Sequence, residues 1–226
     1  NAFFGCSSLE QFSIPYSVDR IGEGSFSQCK SLKEISFSIT TTSMSIFNLS
    51  DTQQFDIAIL LSIIACKSFC ECTSLEKITI PSSVTRIDDY AFDGCISLSS
   101  VIFESSSSLT SIGYCAFKNC PILNQITIPS SVVSIDSFAF RDCISLNLLS
   151  FETPSSLTSI GEGAFMSCTS LIMLSIPQSV TKIGNYAFED CFSMKQLSIP
   201  SSINRNNLSI NANTKIVETS ANCLIC

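Results

Sequence analysis

The chain has 226 residues, 45% of them hydrophobic and only 14% charged, with a formal net charge of −7. No basic stripe offsets the acidity, which excludes a surface for phosphate backbones or anionic lipid, and the longest apolar run, residues 57–65, is too short to cross a bilayer. Histidine and tryptophan are absent, and no G-x-S-x-G elbow, P-loop or dinucleotide fingerprint occurs, so neither catalytic residues nor a cofactor are expected.

Taken from its start, the chain repeats one phrase eight times. Phe3, Phe26, Phe69, Phe92, Phe117, Phe140, Phe165 and Phe188 each stand three residues before a cysteine, at spacings of 23, 43, 23, 25, 23, 25 and 23 residues. Such a period belongs to supersecondary units stacked into a solenoid. The same apolar skeleton follows each time, as in Cys95, Leu98, Val101, Phe103 or Cys143, Leu146, Leu149, Phe151. An L-x-x-L-x-L spacing signals a leucine-rich repeat, whose x-L-x centre is a short strand with the leucine inward and both neighbours outward. One coil cannot bury its own apolar row, so about eight coils stack into one elongated domain over residues 1–203.

The first residues, Asn1-Ala2-Phe3, fall inside a repeat, without a leader or a polar capping coil, and read as part of a longer protein. Pro15, Pro81, Pro129, Pro177 and Pro200 follow an isoleucine and end the strand, because proline has no N–H to give the ladder. Gly22, Gly113, Gly161 and Gly184 mark a second turn. In the second coil an insertion falls within about residues 38–63. Its Ser/Thr-rich first half reads as an exposed loop; its apolar second half either packs on the solenoid and supplies part of the coil, or forms a partner-binding loop.

The third coil gives the phrase in full: Ile78-Thr79-Ile80-Pro81-Ser82-Ser83-Val84-Thr85-Arg86-Ile87-Asp88-Asp89-Tyr90-Ala91-Phe92-Asp93-Gly94-Cys95. This wording closely resembles the BspA-like leucine-rich repeat family of bacterial and protozoan surface proteins. The resemblance implies a curved α/β horseshoe-like, β-rich solenoid, with a concave parallel sheet and turns or short 3-10 segments on the convex side. It also implies a cell-surface or extracellular location and, as in some members, adhesion to host or matrix proteins such as fibronectin. Coils with Ile-Pro after the strand alternate with coils carrying Phe37, Phe103 or Phe151 and extra residues, so the duplicated unit is a pair of coils, 48 residues long. Beyond Ile203 the pattern decays, and residues 204–226 read as a degenerate C-terminal coil or cap.

Eight of the 13 cysteines hold the repeat position, where a periodic cysteine is first a small buried hydrophobe. Stacked side chains point in parallel, so free thiols are expected along most of this ladder. Cys66, Cys70, Cys115, Cys223 and Cys226 lie outside it; with one isolated C-x-x-C and no histidine, no zinc site is expected. Unpaired thiols suit the cytosol while the resemblance points outside the cell, so cysteine usage leaves the compartment open. Asp88, Asp89, Asp93, Asp136, Asp142, Glu162, Glu189 and Asp190 flank the Ala-Phe phrase as a solvated edge, with weak calcium binding as the second reading.

The candidate working surface is the outward face of the strands, where Ser or Thr fills seven of eight second positions and Ile102 breaks the series. Ile102, Gln125, Thr127, Leu148, Ser150, Ile172, Met173 and Ser175 form the candidate contact patch for a protein or a glycan; small exposed apolar groups on a sheet suit protein partners. The blander reading is that Ser and Thr merely tolerate a crowded parallel strand. Two function classes follow: a non-enzymatic binding module of the cell surface, or an intracellular or structural scaffold using the same solenoid as a spacer.

Overall fold

A computed structural model of the chain describes residues 1–15, 17–38, 61–205 and 208–219. Each of the first seven coils contributes one longer strand and one two-residue strand to two parallel layers, and the last two add longer strands alone. The longer strands are β1 (Gln11–Pro15), β3 (Glu34–Ser38), β5 (Lys77–Ile80), β7 (Ser100–Phe103), β9 (Gln125–Ile128), β11 (Leu148–Phe151), β13 (Met173–Ser175), β15 (Gln196–Pro200) and β16 (Lys215–Thr219). The short ones are β2 (Arg20–Ile21), β4 (Ile63–Ile64), β6 (Arg86–Ile87), β8 (Ser111–Ile112), β10 (Ser134–Ile135), β12 (Ser159–Ile160) and β14 (Lys182–Ile183), in one seven-stranded sheet. Turns, with almost no helix, make up the convex side, which resolves the choice between turns and 3-10 segments.

The repeated phrase builds the spine. The eight phenylalanines stack face to face from Phe3 to Phe188, with successive centroids 5.0 to 5.8 Å apart and planes within 11°. Beside them each ladder thiol from Cys29 to Cys191 donates to the phenylalanine carbonyl of the preceding coil, as Cys72 Sγ to Phe26 O at 3.0 Å and Cys143 Sγ to Phe117 O at 3.2 Å. All described cysteines are free, and for the ladder this bond gives the reason: a disulfide would remove the donor. Burial is complete enough to push the thiols of Cys72, Cys143 and Cys191 up to about 12, and those of Cys95, Cys120 and Cys168 well above the usual range.

The convex turns hold two left-handed positions per coil, and side chains occupy most of them: Lys67, Tyr90, Cys115, Phe138 and Tyr186 at the first, Gln28, Glu71, Asn119, Asp142, Ser167 and Asp190 at the second. Cross-coil hydrogen bonds hold this strained backbone in place. Every second N–H points to the next coil, so that Tyr90, Phe92 and Gly94 donate to the carbonyls of Tyr114, Ala116 and Lys118 at 2.7 to 2.9 Å. The glycines expected at the second turn have a different purpose from conformational freedom. Gly113, Gly161 and Gly184 have ordinary φ, but a Cβ there would run into the backbone of the preceding coil, at Asp88, Asp136 and Gly161 respectively. Gly161→Ala is therefore expected to destabilise the protein by about 1–3 kcal/mol in urea unfolding, the cost of overpacking; an unchanged midpoint would show that the coils slide apart freely.

The proline turns match expectation: Val84, Val132 and Val180 each donate to the carbonyl of the proline three residues before, at 3.1 Å. Of the expected insertion, residues 39–60 lie outside the described residues. The end of its apolar run supplies the ordinary coil, since Leu61 and Ile64 are fully buried in the places that Leu109 and Ile112 fill two coils later. Past Ile203 the chain adds β16, parallel to β15 from Gln196↔Lys215 to Pro200↔Thr219.

The paired-coil unit is visible in the concave sheet. Within a pair the strands are laddered along their length: β1 with β3, β5 with β7, β9 with β11, β13 with β15. Between pairs the ladder shrinks to Glu34↔Lys77 for β3 and β5, to Ser100↔Gln125 for β7 and β9, and is absent for β11 and β13. Each loose seam follows a coil with the longer loop. In those coils Glu104 and Glu152 turn back to accept from Ser82 N and Ser130 N at 2.9 Å, tying the loop to the preceding coil of the same pair. One side-chain tie is missing at the last seam: Ser83 and Ser131 hydroxyls donate to Leu61 O and Leu109 O at 2.7 and 2.8 Å, whereas the buried hydroxyl of Ser179 has no partner among the described residues.

Candidate functional site: the concave sheet

On the strands alternate residues point in and out, as Lys77-Ile78-Thr79-Ile80 shows with its exposed and buried positions in turn. The inward ones, Ile78, Val101, Ile126, Leu149 and Leu174, belong to a single core that runs the length of the solenoid. The outward ones include the most exposed apolar side chains of the sheet: Ile102 at 53%, Leu148 at 54% and Met173 at 61%.

Four of the expected site residues meet at the seam between β7 and β9. Ile102, Gln125, Thr127 and Leu148 line a cleft of about 300 Å³ there, together with Ser100 and Glu152. Ser150 joins from the next strand through a hydroxyl bond of 2.8 Å to Thr127. Met173 and Ser175 stand on β13, across the seam where the ladder is absent. Ile172 lies one residue before β13, on the rim, and belongs to a second cleft with Phe192, which sequence reasoning passed over. The signal was available: Phe192 directly follows a ladder cysteine, where Ile96 and Ile144 also stand exposed.

Charge divides along the sheet. In the first three coils Lys33 pairs with Glu10 at 3.0 Å and Lys77 approaches Glu34 at 3.9 Å, exposed ion pairs of small energetic weight. From β7 to β13 the outward strand positions are Ser100, Ile102, Gln125, Thr127, Leu148, Ser150, Met173 and Ser175, none of them charged. The acidic residues gather on the convex turns instead, where burial raises Asp93 and Asp136 above the usual carboxylate range, Asp136 also through the nearby charge of Asp89. Among the described residues no group of three or more potential ligands is placed to hold a metal ion, and no helix is long and apolar enough to cross a membrane.

Stacked parallel strands, a phenylalanine spine and a concave face of short polar side chains define a leucine-rich repeat solenoid, a class built to present an extended binding surface. The chain belongs to the BspA-type leucine-rich repeat family, whose repeat region matches residues 1–122 and 103–218. Among solved structures it is similar to the pneumococcal vaccine antigen PcpA, at 23% identity and a TM-score of 0.57 over 88% of this chain and 42% of that one. It is also similar to a leucine-rich cell surface protein of Faecalibacterium prausnitzii A2-165, at 24% identity and 0.51 over 99% and 62%. A leucine-rich repeat protein of Eubacterium ventriosum ATCC 27560 stands at 22% and 0.52 over 97% and 62%. At these identities the likeness carries the fold, and the chain spans less than two thirds of each of the three. No curated protein matches it at the sequence level.

Proposed function

We propose that this chain is a non-enzymatic binding module of a cell-surface protein, holding host or matrix proteins on the uncharged middle of its concave sheet. The observation that carries this is the set of exposed apolar side chains, Ile102, Leu148 and Met173, on strands β7 to β13, whose other outward positions carry hydroxyls and amides. An isolated exposed leucine means little, but apolar groups grouped beside a cleft and rimmed by polar ones mark protein contact surfaces. Rigid backbone supports the reading, since the strands that carry these residues lose little freedom on binding. The family and the surface location of the F. prausnitzii relative support a place outside the cell.

The test is solid-phase binding of the purified protein to a panel of extracellular matrix proteins and host cells. Saturable binding is expected, weakened at least about tenfold by Leu148→Lys combined with Met173→Lys, because a buried lysine at the centre of an interface costs on the order of its desolvation. Both side chains are exposed, so the variant keeps its melting temperature. Absence of binding to every panel member would favour the spacer reading instead.

A further inference from the structure

The last coils carry a second cleft, of about 540 Å³, on the rim where their strands begin; its lining includes Asn147, Ile172, Phe192, Met194, Lys195 and Asn213. Two apolar side chains face outward from it, Phe192 at 65% and Ile172 at 43% exposure, among the polar Asn147, Ser170, Ser193 and Asn213, while buried Met194 anchors the strand start beneath. The frame is fixed by hydrogen bonds between coils: Lys195 N to Ile172 O at 2.8 Å, Lys215 N to Lys195 O at 2.9 Å, and Thr214 Oγ1 to Met194 O at 2.9 Å.

Lys195 is the one charged residue lining this cleft. Among the described residues neither its amine nor that of Lys215 in the next coil is in an ion pair, unlike Lys33 and Lys77 at the other end of the sheet, which lie near Glu10 and Glu34. A positive edge beside Phe192 and Ile172 selects by charge complementarity as well as by apolar contact.

We propose that this cleft takes an acidic, partly apolar polypeptide segment. An apolar side chain sits between Phe192 and Ile172, a carboxylate faces Lys195 with Lys215 adding to the field, and the amides of Asn147 and Asn213 bond the segment's backbone. The inference rests on the concave side being a binding surface and names the chemistry of its partner. An acidic glycan shares the carboxylate but leaves the walls of Phe192 and Ile172 without apolar groups to cover, which is why the segment is a peptide.

The test is fluorescence anisotropy with a labelled decapeptide alternating Asp with Leu and Phe, its Asp→Asn and Asp→Lys analogues, and an oligogalacturonate, against the wild type, Lys195→Glu, Phe192→Ser and Leu148→Lys. The acidic peptide should bind more weakly as salt rises, and should lose about tenfold or more in affinity with Lys195→Glu, with Phe192→Ser and with the Asn analogue, while Leu148→Lys retains it. Equal binding of the Lys analogue, tighter binding of oligogalacturonate, or no effect of Lys195→Glu and Phe192→Ser would overturn the proposal. Loss in Leu148→Lys alone would also overturn it, while leaving the concave strands as the binding surface.

Discussion

Phe117→Ala is expected to cost about 3–5 kcal/mol of stability, the largest loss from any single truncation in the spine. Phe117 is fully buried at the centre of the solenoid, its ring stacked between Phe92 at 5.0 Å and Phe140 at 5.3 Å. Its backbone is tied on both sides, the N–H donating to Ala139 O at 2.7 Å and the carbonyl accepting from Cys143 Sγ at 3.2 Å. Neighbouring rings are held by their own coils and cannot collapse into the space, so the cavity persists and adds to the lost transfer energy. Because each coil is stabilised only by its neighbours, a gap in the middle also uncouples the two ends. Urea unfolding followed by circular dichroism should show the midpoint falling steeply, and the transition broadening, while Phe4→Ala at an exposed position changes stability by no more than about 0.5 kcal/mol. A loss below about 1 kcal/mol for Phe117→Ala would mean that the ring stack follows from the fold without holding it together.

Alkaline pH should unfold the protein in a way set by its thiols. In the folded chain burial penalises the thiolate, pushing Cys72, Cys143 and Cys191 up to about 12 and Cys95, Cys120 and Cys168 well above the usual 9.0. A raised folded pKa means that the folded state holds its proton when the unfolded chain has released it. The stabilisation is therefore fully present below pH 9 and is lost as pH rises from there towards 12. Each thiol removes up to about 1.4 kcal/mol per pH unit in that window, and six acting together remove on the order of ten kcal/mol between about pH 9 and 10.5. That is comparable with the whole stability of a domain, so cooperative unfolding is expected near the top of the window. Urea midpoints measured in reductant at stepped pH should be level to about pH 8.5 and then fall, with a shallower slope in Cys120→Ala. A flat profile to pH 10.5 would contradict the buried, protonated ladder.

The backbone path of the solenoid was legible in the sequence because a repeat fold ties burial to position. Phe92, Cys95, Leu98 and Val101 point inward for the same reason as their counterparts one coil on, and eight copies make the rule visible. The paired unit was legible too, from the alternation of Ile-Pro coils with Phe103 and Phe151 coils. What the pairing does to the sheet was not, since strand register depends on how two loops of unequal length sit against each other, as Glu104 and Glu152 show. Left-handed turns were hidden because Tyr90, Phe138 and Tyr186 occupy them in place of glycine, and Tyr90 and Phe138 are held by hydrogen bonds to a coil more than 20 residues away. The ladder cysteines read as small hydrophobes; their thiol donors became apparent only against the phenylalanine carbonyls. For the candidate site, the outward residues of the strands follow from alternation alone, but which of them share a cleft depends on the seams. Ile102 and Leu148, on strands with β9 between them, line one cleft, whereas Ile172 and its neighbour Met173 part to the rim and to the face.

The most direct measurement compares binding by the two faces of the same molecule. Two variants are bound side by side to immobilised matrix proteins and host cells: Leu148→Lys with Met173→Lys on the concave strands, and Tyr114→Lys with Tyr186→Lys on the exposed convex turns. The concave pair should lose saturable binding while the convex pair keeps the wild-type affinity within about twofold, both with unchanged circular dichroism. Loss of binding in the convex pair, with the concave pair intact, would place the working surface on the acidic turns and contradict the account.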